Sequence, residues 1–248
     1  MTDEPVCWIV GAGEFCAPDF RPRARDFVIA ADAGYRTLKN LGAPVDLVIG
    51  DFDSLGCRPH HPHVLQFPSM KDDTDMMLAV KEGLSRNFRR FELLGGLGGR
   101  LAHTLANLQT LMFLAQRGAR GVLRGARENA CAVSTGSAVF PAGYRGYLSV
   151  FCLSGRAEGV TLSGLKYAMN DGVFESSVPL GISNEFTGEP ASITVKKGTL
   201  VLLWQTQTDR DVPQEPGEEL HAFDSGAFKI TLKEVSSCRP LFLPECSL

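Results

Sequence analysis

The chain has 248 residues, 44% hydrophobic and 21% charged, which is enough for one or two domains with a real core. A net charge of -3 gives no electrostatic case for nucleic-acid binding, and no apolar stretch approaches the length of a membrane span. The acidic start Met1-Thr2-Asp3-Glu4-Pro5 is no signal peptide, and seven scattered cysteines without a C-x-x-C pair fit reduced thiols, so a cytoplasmic protein is expected.

In chain order, Val6-Cys7-Trp8-Ile9-Val10 predicts a buried strand, with a tight turn at Gly11-Ala12-Gly13. Cys16 stands where a dinucleotide fingerprint would place its third glycine, so the glycines carry little as a Rossmann signal. A second strand is expected at 27–30, ending in Asp32-Ala33-Gly34, and a short helix at 35–41, stopped by Gly42 and Pro44. The run 45–49 predicts a third strand, directly before Gly50-Asp51-Phe52-Asp53-Ser54-Leu55. At a pleated strand end, Asp51 and Asp53 would point to the same side. Two like charges so placed need a cation, a basic side chain or water. Beyond a parallel strand's carboxyl end, the pair suits Mg²⁺ with a phosphorylated ligand; a solvated turn is the plain alternative.

His60-His61-Pro62-His63 lacks a further spaced ligand and reads as a solvated loop, followed by a short strand at 64–67. Lys71-Asp72-Asp73-Thr74-Asp75 opens a helix whose apolar stripe is Met77, Val80 and Leu84. Capping and the helix dipole explain one or two acids there. Three exceed that need, which points to function at Asp75 and leaves Asp72 and Asp73 open. A strand at 91–94 then enters Gly95-Gly96-Leu97-Gly98-Gly99-Arg100. This is no Walker loop, yet its glycines let backbone approach a phosphate and aim helix N–H groups at it. The next helix runs to about Arg117, with Leu101, Leu105, Leu108, Met112 and Ala115 as its buried stripe and Arg100, His103 and Asn107 opposite. Arg100 suits a phosphate clamp. For His103, a surface position, a nucleotide contact and a general base all stay open. With a strand at 121–124, residues 1–127 read as a parallel-sheet α/β domain of nucleotide-binding type.

From Asn129 the periodicity changes to strand-like segments, including 147–153, 191–195 and 199–204, which predicts an all-β sandwich over 128–248. Gly164-Leu165-Lys166-Tyr167 and Gly181-Ile182-Ser183-Asn184-Glu185 read as turns or a binding rim. A polar, Pro/Glu-rich stretch follows Trp204, with a strand expected at 227–232; no role is legible for 205–248.

Together, Ala31-Asp32-Ala33-Gly34, Gly50-Asp51-Phe52-Asp53-Ser54, Asp72-Asp73-Thr74-Asp75, the run from Gly99 to Asn107, Gly164-Leu165-Lys166-Tyr167 and Gly181-Ile182-Ser183-Asn184-Glu185 closely resemble the thiamine pyrophosphokinase family, in that family's order. The resemblance implies an α/β domain joined to a β-sandwich, acting as a homodimer with active sites at the interface. It implies transfer of diphosphate from ATP to the thiamine hydroxyl, giving AMP and thiamine diphosphate. By the same resemblance, Asp51, Asp53 and Asp75 hold Mg²⁺ and, with Arg100, carry catalysis. Asp32, Gly34, Gly96, Arg100, His103 and Asn107 meet ATP, and Asp75, Ser183 and Asn184 meet thiamine. The family commonly has Asp where this chain has Ala102. Two other readings compete: a pyrophosphokinase for another hydroxymethyl acceptor such as a pterin, and a catalytically weak nucleotide- or thiamine-binding sensor.

Overall fold

The computed structural model describes residues 4–207. The first half alternates β1 (Val6–Val10), β2 (Phe27–Ala31), α1 (Gly34–Asn40), β3 (Leu47–Gly50), β4 (Val64–Gln66), α2 (Asp75–Ser85), β5 (Arg90–Leu94), α3 (Leu101–Ala115) and β6 (Arg120–Arg124). Six strands follow: β7 (Glu128–Phe140), β8 (Tyr147–Cys152), β9 (Arg156–Ser163), β10 (Met169–Glu175), β11 (Gly181–Glu185) and β12 (Ala191–Gln205). The strand expected at 227–232 lies outside the described residues.

The parallel strands lie in the order β4-β3-β2-β1-β5-β6. From β1 the chain builds outward in one direction, then returns to β1's other side with β5. That reversal makes a crevice at the carboxyl ends of β1 and β5, the place where open α/β sheets bind ligands. Strand alternation sends two sets of side chains to opposite faces. Cys7, Ile9, Ile29, Phe91 and Leu93 pack under α2 and α3. Trp8, Val10, Val28 and Leu94 pack with Tyr35 and Leu38 of α1 and with Phe20, Phe52 and Leu55 from loops.

The two halves share one mixed sheet, since β6 pairs antiparallel with β7 and β7 with β12 along its length. Opposite β7, β12 serves two further neighbours: residues 192–197 meet β9 and residues 200–204 meet β8. The register shifts between Val195 and Thr199, where Gly198 takes a φ of 101° open to glycine. These strands enclose a third core, in which Phe140 lies 5.4 Å from both Tyr144 and Trp204 and 5.1 Å from Phe186, ring to ring.

Local expectations need three corrections. The buried stripe of α2 is Met76, Ala79, Val80, Gly83 and Leu84, so Met76 replaces Met77. That of α3 is Asn107, Leu108, Thr110, Leu111 and Leu114, while Leu101 and Leu105 are 72% and 51% exposed. The first turns of α3 overhang the sheet, and apolar spacing alone cannot say where a helix leaves its support. Gly181–Glu185, read as a turn or rim, is strand β11 on β8, with Gly181 and Asn184 both buried across a register shift between them, a pairing its polar composition does not announce.

Candidate active site

Three carboxylates converge beyond the ends of β2 and β3. One oxygen from each of Asp32, Asp51 and Asp53 lies within 4.8 Å of the others. Asp32 follows β2 directly, with a left-handed φ of 48°, and its backbone N–H donates to Ile49 O on β3. Gly50 permits the approach: a Cβ there would stand 3.2 Å from Asp32 Cα and 3.3 Å from its Cβ. Asp51 and Asp53 lie past the end of β3, so the strand pleat does not align them. The fully buried Phe52, at a φ of 65°, turns the chain between them, and the Asp53 N–H donates to Asp51 Oδ1 at 3.2 Å.

Thr74 caps α2 by accepting from Met77 N–H at 3.2 Å, which leaves Asp75 as the first helical residue. Lys71 joins α2 to the acidic loop: its ammonium donates to Asp51 Oδ2 at 2.8 Å and stands 2.9 Å from Asp75 Oδ1. The second contact is an ion pair off hydrogen-bond geometry, since Asp75 Oδ1 is otherwise buried without a hydrogen-bond partner. Asp73 pairs instead with Lys81 at 2.6 Å, and Asp72 is exposed.

Burial raises the Asp32 carboxyl above its usual range, and the charges of Asp51 and Asp53 add to it. Burial likewise raises Asp75, only partly offset by Lys71, with Asp51 and Asp32 pushing the same way. For Asp51 the burial effect is outweighed by the Lys71 hydrogen bond and the Asp53 N–H, so its pKa falls. Asp32 Oδ1 is buried without a hydrogen-bond partner. An orphaned carboxylate oxygen beside two further carboxylates is a costly arrangement that a cation would relieve.

The glycine-rich turn after β5 borders this crevice. Gly11 N–H donates to Leu94 O, and Gly13 N–H to Gly95 O. Gly34 seats α1 against the end of β1, where a Cβ would fall 1.9 Å from Val10 O. Asn107 is buried, and its Nδ2 donates to Gly96 O at 2.8 Å, so it shapes the turn rather than facing the same way as Arg100 and His103. Arg100 and His103 stand exposed with Gly98 and Gly99 at the N-terminal end of α3, beside Ala102. In the triple-histidine loop, the His61 ring meets the His63 backbone through Nδ1 and Val45 O through Nε2, so it fastens the loop to the segment before β3.

Ser183 and Asn184 lie elsewhere. They sit on β11, seven strand spacings from β2 along the sheet, on the order of 30 Å of sheet. Ser183 is exposed with a φ of 56°, while Asn184 is buried and engaged with Tyr167. Lys71 is the site residue that sequence reasoning left without a role. Its i,i+4 spacing to Asp75 is the local signal that points to it, but the contact with Asp51 is long-range.

Residues 23–123 match the family model described as thiamin pyrophosphokinase, catalytic domain, and residues 139–200 match that of the thiamin pyrophosphokinase vitamin B1 binding domain. The chain is 28% identical to the thiamine pyrophosphokinase of Bacillus subtilis (strain 168) over 193 residues, covering 72% of this chain and 86% of that protein. The crystal structure of a thiamin pyrophosphokinase family protein from Enterococcus faecalis superposes with a TM-score of 0.68 at 27% identity, over 83% of this chain and 100% of that one. Yeast thiamin pyrophosphokinase shares the fold with a TM-score of 0.62 at 14% identity, over 83% and 88%. Catalytic and vitamin-binding matches thus follow one another in chain order, the first spanning the acidic crevice and the second the antiparallel strands: this chain belongs to the thiamine pyrophosphokinase family.

Proposed function

We propose that the acidic crevice is where this thiamine pyrophosphokinase transfers diphosphate from ATP to the thiamine hydroxyl, releasing AMP and thiamine diphosphate. The observation that carries the reading is the convergence of Asp32, Asp51 and Asp53 beyond the ends of β2 and β3, within the catalytic-domain match. Oxygen donors alone suit a hard cation such as Mg²⁺, and the buried orphan Oδ1 of Asp32 supplies a ligand with nothing else to bind. Asp32, Asp51 and Asp53 would hold the ion, with Asp75 beside them. Bound there, Mg²⁺ would neutralise charge on the diphosphate as it passes between oxygens.

The chain's own groups supply the remainder. Gly34 and Gly96 bring backbone close to the nucleotide, and Arg100 with the free N–H groups of α3 would hold the phosphates. His103, exposed in the first turn of α3, would meet the nucleotide beside Arg100. Asp75, its carboxyl raised by burial, is suited to orient the thiamine hydroxyl and take its proton as the oxygen attacks the β-phosphorus in line. Ser183 would meet thiamine from β11, with Asn184 fixing the segment. Since that strand is far along the sheet from Asp75, the vitamin site is completed by a second copy of the chain, in a homodimer with sites at the interface. The division at 127 separates an ATP- and Mg²⁺-binding unit from a β-sandwich that binds thiamine and dimerises. Cys7, Cys16, Cys131 and Cys152 are free thiols but Cys57 is disulfide-bonded, which corrects the expectation that every cysteine is reduced, and no helix among the described residues is long and apolar enough to cross a membrane.

The deciding experiment is AMP release from ATP, Mg²⁺ and thiamine beside a no-thiamine control. Thiamine-dependent AMP with equimolar thiamine diphosphate is the expected result. ADP as the product would overturn attack at the β-phosphorus, and no turnover by folded dimer would overturn the assignment.

A further inference from the structure

We infer that Lys71 is the resident cation of the acidic site: it holds the carboxylates together before a divalent metal arrives and competes with that metal for them. This rests on the metal reading above. The Lys71 ammonium joins Asp51, on the loop after β3, to Asp75, at the start of α2. The three side chains are only 13%, 12% and 24% exposed, so this is not a solvated surface pair. Among the described residues, no other basic side chain pairs with Asp32, Asp51, Asp53 or Asp75. One ammonium therefore pairs with two of the four carboxylates and leaves Asp32 and Asp53 to other charge.

A compact ammonium on a flexible stem can satisfy carboxylates from two elements, as a bound ion would, and can also swing away. When a dication takes up the carboxylates, it places a like charge beside Lys71, and the two repel at short range. Displaced toward the crevice, the ammonium has three donors for phosphate oxygens. A purely structural salt bridge would lack this competition, because removing it would loosen the carboxylates and weaken metal binding. The sign of the effect on metal affinity separates the two.

The test is Mn²⁺ binding, by electron paramagnetic resonance without nucleotide or thiamine, to wild type, Lys71→Met and Lys71→Arg, with thermal melts in chelator and in saturating Mn²⁺. Lys71→Met is expected to bind Mn²⁺ about tenfold more tightly, as removal of a nearby like charge predicts. It should melt lower than wild type in chelator and recover in Mn²⁺, whereas Lys71→Arg, which keeps the charge, should stay near wild type. Equal or weaker Mn²⁺ binding by folded Lys71→Met overturns the inference. If Lys71→Met does not fold, Lys71→Gln carries the same comparison. Absence of Mn²⁺ binding by wild type overturns the metal reading itself, and this inference with it.

Discussion

The side chain of Asn184 clasps the backbone of Tyr167 from both sides: Nδ2 donates to Tyr167 O at 2.8 Å, and Oδ1 accepts from Tyr167 N–H at 3.0 Å. The same Oδ1 accepts from Glu185 N–H at 2.9 Å. With Asn184 only 4% exposed, its amide is spent within the chain, and it acts by fixing the segment that presents Ser183 and Tyr167. Truncation to Ala would strand buried backbone groups, costing about 2 kcal/mol and lowering Tm by ~4–8 °C. Asn184→Ala should therefore raise KM for thiamine while leaving KM for ATP near wild type. A rise confined to ATP would refute this positioning role.

Asp32 is placed for binding at the expense of stability. Its pKa is raised in the folded state, so the folded chain holds the proton more tightly than the unfolded one. Stability is then lost as pH rises from the ordinary carboxylate value through the raised one, and the penalty is fully present at neutral pH. Asp32→Asn removes that penalty and should raise the metal-free Tm at pH 7.5 by ~2–5 °C while abolishing turnover. The gain should vanish at acid pH, where both proteins are uncharged at this position. An Asp32→Asn protein less stable than wild type in chelator at pH 7.5 would contradict the argument.

Much of this was legible from local chemistry. Buried apolar runs ending in Asp or Gly marked β2, β3 and β5, and the acids after β2 and β3 marked the site, since strand ends and turns are specified within a few residues. What failed depended on distant partners. The alignment of Asp51 with Asp53 comes from a left-handed Phe52 packed in a core, which no pleat argument contains. Asn107 has the periodicity of α3's outer face, yet its partner is Gly96, on the turn before the helix. β11 was obscured by Ser183 and Asn184, polar residues that read as a turn until the buried clasp on Tyr167 is seen.

Asp75 tests the chemical step. A carboxylate that takes the hydroxyl proton acts mainly in the transition state, so Asp75→Asn should lower kcat by ~10²–10⁴-fold with smaller changes in KM for ATP and thiamine. The variant also takes one charge from the Lys71 pair, so Mn²⁺ binding should be measured alongside. Near-normal kcat with Mg²⁺ present would eliminate Asp75 as the base.

Glu92 makes the last prediction, away from the crevice. It sits on β5, 2% exposed, with Oε2 lacking a hydrogen-bond partner and Arg90 3.7 Å from Oε1. Burial pushes its carboxyl up to about 7; Arg124 and Arg90 pull it down, and the Asp19 charge raises it further. The sign follows from linkage: a raised folded pKa means that stability declines as pH climbs from about 4.5 to about 7 and stays reduced above it. The decline attributable to this one group is roughly 2–4 kcal/mol. Glu92→Gln keeps the shape, removes the charge and should unfold at higher denaturant concentration than wild type at pH 8. Below pH 4.5 the difference should close, because wild type is then protonated too. Arg124 keeps Asp19 as a partner at 2.8 Å, and Arg90 reaches solvent, so neither cation is left buried and unpaired by the change. Parallel stability curves for the two proteins between pH 4.5 and 8 would show that Glu92 stays ionised throughout, held by the two arginines against its burial.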